Sequence, residues 1–188
     1  MDSDLTLDFI IIIVLIIANG LFSMTELAIV NAKKRKLEEL AEAGNERAKK
    51  AFELAEHPND MFSTIQIGIT LVGILTGLYS GATFSGPLEE ILTANIPSIE
   101  PYAASVSSFL IVAIITYLSL VIGELVPKRL ALNSPEGIAV VVAKPIYWLS
   151  VALKPIVSFL GISTEFLLKL LGVTVKEEAP VTESEINK

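Results

Sequence analysis

The sequence predicts an all-α membrane protein with three transmembrane helices, its N-terminus outside and its C-terminus inside, carrying a cytosolic helical hairpin and interfacial juxtamembrane helices. Three observations carry this reading. All 14 Lys and Arg residues avoid residues 1–32 and 51–127. Those spans contain apolar segments at roughly 5–30, 61–84 and 102–126, each longer than the ~20 helical residues that a hydrocarbon core of about 30 Å requires. Basic residues stand directly after the first segment (Lys33, Lys34, Arg35, Lys36) and the third (Lys128, Arg129), and short cytoplasmic flanks retain positive charge.

That distribution puts Asp2, Asp4 and Asp8 outside, together with a loop over 85–101 whose only charges are Glu89, Glu90 and Glu100. A cleavable signal peptide is disfavoured, because the start is acidic rather than basic and no small-residue cleavage site ends segment one. The chain is 52% hydrophobic, and its net charge of −7 belongs mostly to loops and tail, which speaks against nucleic acid as a partner. Without cysteine there are no disulfides, thiolate metal sites or thiol chemistry. The lone His57 sits in a polar His-Pro-Asn-Asp stretch, at a helix end followed by Asn59 and Asp60 as N-cap chemistry for segment two. No Ser-His-Asp set, Cys-His set or phosphate-cradling loop occurs, so an enzyme is not expected. Any metal site must be built from oxygen.

Between segments one and two, residues 33–57 alternate charges with Leu and Ala around Gly44-Asn45, the pattern of a short helical hairpin. After segment three, Ser134-Pro135-Glu136 offers an N-cap and a first-turn proline for a long apolar stretch over 135–172. Lys144-Pro145 and Lys154-Pro155 interrupt it every ten residues, which favours broken helices in the cytoplasmic interface with snorkelling lysines over a fourth crossing. From 175 to 188 the chain reads as a polar linker, ending in a capping-box spacing at Thr182 and Glu185.

Polar residues inside the apolar segments are the functional signal. On helix one, Asn19, Ser23 and Glu26 share a face at i, i+4 and i+7. A carboxylate there costs a few kcal/mol unless it meets a cavity, water or a basic partner, and Lys33 and Arg35 are the partners at hand. Segment two presents Gln66, Thr70, Gly73, Gly77 and Ser80 along one face; close packing accounts for the glycines but leaves Gln66 and Thr70 needing partners. In Gly123-Glu124-Leu125-Val126-Pro127-Lys128, Pro127 has no N–H for the Gly123 carbonyl, which leaves a backbone oxygen uncommitted beside a carboxylate. A proline-terminated helix with Glu124 protonated or paired to Lys128 explains the same residues. All these groups fall at similar depth in the cytoplasmic half of their helices. An all-oxygen set of this kind suits Mg²⁺ or another hard cation.

The runs Asn19-Gly20-Leu21-Phe22-Ser23-Met24-Thr25-Glu26, Gln66-Ile67-Gly68-Ile69-Thr70-Leu71 and Gly123-Glu124-Leu125-Val126-Pro127-Lys128 resemble, in order, the three transmembrane motifs of the CorC/CNNM (hemolysin-C-like) family. The resemblance implies a homodimer in the plasma membrane with three transmembrane helices per subunit and a juxtamembrane belt. It also implies Mg²⁺ export, with Na⁺ as coupling ion. A cytosolic pair of cystathionine-β-synthase (CBS) domains binding ATP would follow the transmembrane domain of residues 1–174. Carried over residue by residue, the ion site comprises Asn19 and Ser23, the Gly68–Thr70 turn, and Gly123 and Glu124, with Glu26 as a second acidic group and Pro127 as helix-breaking support. Asn19 stands where many members have Ser, and Ile69 where others have Asn. The competing expectation is an Mg²⁺-sensing membrane scaffold that transports nothing.

Overall fold

The computed structural model describes residues 2–56 and 58–172, and among them the only regular secondary structure is helical. His57 and the expected linker at 175–188, with its capping box, lie outside the described residues. The helices are α1 (Asp2–Asn31), α2 (Lys34–Glu42), α3 (Glu46–Glu56), α4 (Pro58–Asn95), α5 (Ala103–Leu120), α6 (Val126–Asn133) and α7 (Pro135–Leu170). A 3₁₀ turn (Pro97–Tyr102) precedes α5, and a π-helical segment (Val121–Leu125) joins α5 to α6.

The chain divides into two compact units, Met1–Val151 and Ala152–Lys188. In the first, α1 packs on α4 and on the π segment with α6, while α5 packs on α4. Large apolar side chains such as Phe9, Val14, Leu78, Phe109 and Tyr117 face outward. An apolar surface of this extent suits lipid rather than water, and this is a membrane protein. Among the described residues four stretches are long and apolar enough to cross: Leu5–Asn31, Met61–Asn95, Pro97–Asn133 and Pro135–Leu170. The described part of the second unit is the end of α7, with Ile156, Phe159, Ile162 and Phe166 exposed.

The hairpin closes where Gly44-Asn45 predicts. Gly44 adopts φ +91°, its N–H donates to Ala41 O at 3.0 Å, and the Asn45 N–H donates to Leu40 O at 3.1 Å, a Schellman C-cap on α2. Asn45 then caps α3, its Oδ1 accepting from the N–H groups of Arg47 and Ala48, each at 3.1 Å. The apolar faces of the hairpin enter a core of Ile29, Leu37, Ala51, Leu54, Met61 and Ile65, closed by Ala139, Ala143 and Ile146 at i, i+4 and i+7 on α7. Lys36 pairs with Glu136 at 3.5 Å across the same contact. Lys50 bonds Glu53 at 2.6 Å and lies 3.9 Å from the Tyr147 ring centre. These contacts, the hydrogen bond to Glu53 first among them, raise the Lys50 pKa above its ordinary value.

Several expected boundaries move. α4 starts at Pro58, so Asn59 and Asp60 lie in its first turn rather than ahead of it, and it runs through Pro87 to Asn95 instead of ending at Phe84. Proline removes one donor, whereas the Leu- and Glu-rich run beyond it sustains the helix. Segment three does not end at Pro127 either; a π turn absorbs the missing donor and the helix resumes to Asn133. Nor is the 135–172 region broken: α7 passes Pro145 and Pro155 as one helix, opened as expected behind Ser134, whose carbonyl accepts from Ile138 N–H at 3.1 Å. Each proline there costs a single intrahelical bond, too little to stop a long apolar helix.

Candidate cation site

Two glycines decide how closely α1 meets the π segment. A Cβ on Gly20 would stand 2.9 Å from Pro127 Cγ and 3.1 Å from Ile122 O. One on Gly123 would stand 3.2 Å from Ile16 O and 3.3 Å from Asn19 Nδ2. Backbone therefore meets backbone, with Pro127 and Gly123 both buried in the contact. The π geometry follows from Pro127, and such bulges inside helices recur at functional sites.

The Gly123 carbonyl is not left free, as the sequence suggests, but accepts a hydrogen bond from Asn19 Nδ2 at 3.1 Å. The reason is geometric: the carbonyl that Pro127 cannot serve points across the glycine contact toward α1, where Asn19 supplies a neutral donor. This turns the amide so that Asn19 Oδ1 is buried without a partner, and one turn further Ser23 Oγ is buried without one as well. Ser23 is only 2% exposed. Among the described residues Ser150 Oγ alone shares this state. A buried oxygen lacking a donor normally costs about 1–3 kcal/mol, so two on one helical face form an acceptor set awaiting something positive.

The other expected ligands stand differently. Glu124 Oε1 accepts from Lys128 Nζ at 2.7 Å, and no hydrogen bond among the described residues joins it to Asn19 or Ser23. Glu26 is half-buried, and none of the ion pairs among the described residues includes it; Arg35 pairs with Glu39 instead, at 3.1 Å. On α4, Gly68 is buried directly under the Phe22 ring, where a Cβ would lie 2.6 Å from Cζ, so it acts as a packing position. Thr70 and Gln66 are exposed, and no hydrogen bond among the described residues joins either to Asn19 or Gly123. The stripe glycines Gly73 and Gly77, and Gly81 one turn beyond, have nothing within 4 Å of a Cβ among the described residues, so close packing within the chain does not account for them. Among the described residues no group of three or more His, Asp or Glu is assembled for a metal.

One polar tie was not legible in the sequence. The Tyr79 hydroxyl donates to the Asp8 carboxylate, joining α1 to α4 well away from the Asn19 turn. An aspartate three residues inside an apolar segment was its only signal.

The chain is similar to known proteins along nearly its whole length. The family profile described as the cyclin M (CNNM) transmembrane N-terminal domain matches residues 10–188. A protein of Synechocystis sp., UPF0053 protein sll0260, is 50% identical over 98% of this chain and 41% of its own length. UPF0053 protein YugS of Bacillus subtilis is 33% identical over 96% of the chain and 42% of its own. A relative in Haemophilus influenzae named polyamine export protein is 27% identical over 93% of the chain and 40% of its own. The chain thus spans about two-fifths of the length of these relatives.

Proposed function

The chain belongs to the CorC/CNNM membrane-protein family, through its cyclin M transmembrane domain, and on that premise we propose that it carries a cation across the plasma membrane, Mg²⁺ in the first reading, as a homodimer exporting it against Na⁺. The observation that carries the reading is the pair of buried acceptors, Asn19 Oδ1 and Ser23 Oγ, beside the Asn19–Gly123 hydrogen bond. Neutral oxygens suit a hard cation that keeps part of its water shell, and Glu124 or Glu26 supplies charge along its route. The three-crossing topology, N-terminus out, is supported by the basic residues that follow α1 and by Lys128 and Arg129 within α6. It is supported too by the Lys36–Glu136 ion pair, which ties the start of α7 to the charged hairpin.

A second cargo has its own support. Relatives in Haemophilus influenzae and Escherichia coli are named polyamine export protein, and Glu124 of this chain already holds a primary ammonium, that of Lys128. A polyamine would present the same group.

Calorimetric titration of Mg²⁺ and of cadaverine into purified wild type and Ser23→Ala tests the reading. Ser23 Oγ makes no hydrogen bond in the structure, so its removal should leave thermal stability equal or slightly higher, since burying an unpaired hydroxyl costs about 1 kcal/mol or more. Binding of the true cargo should fall roughly tenfold. Unchanged binding in Ser23→Ala would remove Ser23 from the site, and saturable binding of cadaverine alone would replace Mg²⁺ as cargo. Binding without flux from sealed proteoliposomes, above empty vesicles, would leave the sensing scaffold instead.

A further inference from the structure

Building on the reading of this region as a cation path, we propose that Lys128 is a tethered counter-cation whose ammonium occupies the Glu124 carboxylate while the site is unloaded and is displaced by arriving cargo. The pair is close, 2.7 Å, and both side chains are part-exposed, at 35% for Lys128 and 41% for Glu124. The backbone beneath them is fixed. Gly123 and Pro127, each immediately before one of the two charged residues, are buried against α1, where no Cβ on Gly20 could fit without moving Pro127. What can move is the lysine itself, a compact ammonium on a flexible four-carbon stem.

The need for such a group follows from charge. A bare carboxylate at the edge of a hydrocarbon layer is unfavourable, so a site that releases its cation must acquire a proton or another cation before it can reset. Lys128 is one helical turn away and supplies that cation without diffusion. Arg129, beside it in sequence, is exposed and makes no ion pair among the described residues, so it does not take this role here. Two consequences follow together: the tether competes with cargo and weakens its binding, and it speeds return of the unloaded carrier. An i, i+4 ion pair with a merely structural role predicts neither.

The test is Lys128→Gln, with Lys128→Arg as the charge-conserving control, in Mg²⁺ calorimetry and in Mg²⁺ efflux from loaded proteoliposomes. K128Q should bind Mg²⁺ roughly fivefold more tightly, about the most that a part-exposed ion pair can withhold. Its efflux should half-saturate at lower Mg²⁺ yet reach a lower maximal rate, and K128R should restore both toward wild type. Tighter binding with the rate unchanged or raised would overturn the resetting role. Binding by K128Q that is equal to or weaker than wild type, in monodisperse protein, overturns the proposal while leaving the cation site standing. If K128Q and Lys128→Met both fail to fold, the ammonium is structural and the proposal falls. A wild-type protein that binds neither Mg²⁺ nor cadaverine instead removes the cation site itself, and the tether with it.

Discussion

At the scale of single residues, the glycines separate into two kinds that composition alone treats alike. Gly20 and Gly123 sit where α1 and the π segment touch through backbone, whereas Gly73 and Gly77 face open space. Gly20→Ala should therefore destabilise the protomer by about 1–3 kcal/mol, because its methyl meets both the Pro127 ring and the rigid Ile122 carbonyl. Gly73→Ala should leave protomer stability unchanged or slightly higher. Thermal unfolding in detergent, read at low protein concentration, compares them; equal losses would mean the two contacts do not differ. The sequence placed Asn19, Ser23 and Gly123 together from shared depth and helical spacing, and in the structure Asn19 and Gly123 do meet. It could not show that the Asn19 amide closes the Gly123 carbonyl, since which amide atom faces a partner helix depends on helix rotation, which spacing along one helix leaves undetermined. Thr70 went the other way for the same reason: its spacing with Gln66 and Gly73 defines a face of α4, and that face turns outward from the protomer.

At the scale of elements, proline chemistry was legible in kind but not in outcome. The missing donor of Pro127 predicts an open turn, and the structure resolves it by π winding rather than by ending the helix. Pro127→Ala restores an N–H able to reach the Gly123 carbonyl and so competes directly with Asn19 Nδ2. Regular α-winding and the better helix propensity of alanine offset the lost packing on Gly20, so the variant should remain folded. Cation binding should fall roughly tenfold as the Asn19 amide loses its anchor and turns. Calorimetry with circular dichroism on the same sample checks both, and wild-type affinity in Pro127→Ala would show that the π segment does not shape the site. The hairpin, by contrast, was legible almost to the residue, because local chemistry settles it: a left-handed glycine ends α2 and an asparagine starts α3. Asn45→Ala should cost about 1 kcal/mol, the usual worth of an N-cap, measured as a lower unfolding temperature with cation affinity retained.

At the scale of the whole molecule, the number of crossings is where reading along one dimension reaches its limit. Hydropathy measures length and apolarity, and by those α7 qualifies about as readily as α4. The company α7 keeps is mixed: Ala139, Ala143 and Ile146 enter a core shared by the hairpin with Ile29 of α1 and Met61 and Ile65 of α4, and Lys36 of the hairpin pairs with Glu136. A helix anchored by its first turns to a charged hairpin lies along the membrane face, or else departs across the bilayer only beyond that anchor. Native cysteine is absent, so single cysteines report topology without background. Ala43→Cys marks the hairpin turn, Ser98→Cys the α4–α5 connection and Leu171→Cys the position just after α7, and all three residues are exposed. With three crossings, a membrane-impermeant maleimide should label only Ser98→Cys in intact cells, and the other two after permeabilisation. Labelling of Leu171→Cys in intact cells would make α7 a fourth crossing and move whatever follows residue 172 to the outside. A cytosolic ATP-binding domain could not then follow α7 directly, and regulation of this site by nucleotide from that side would have to be abandoned.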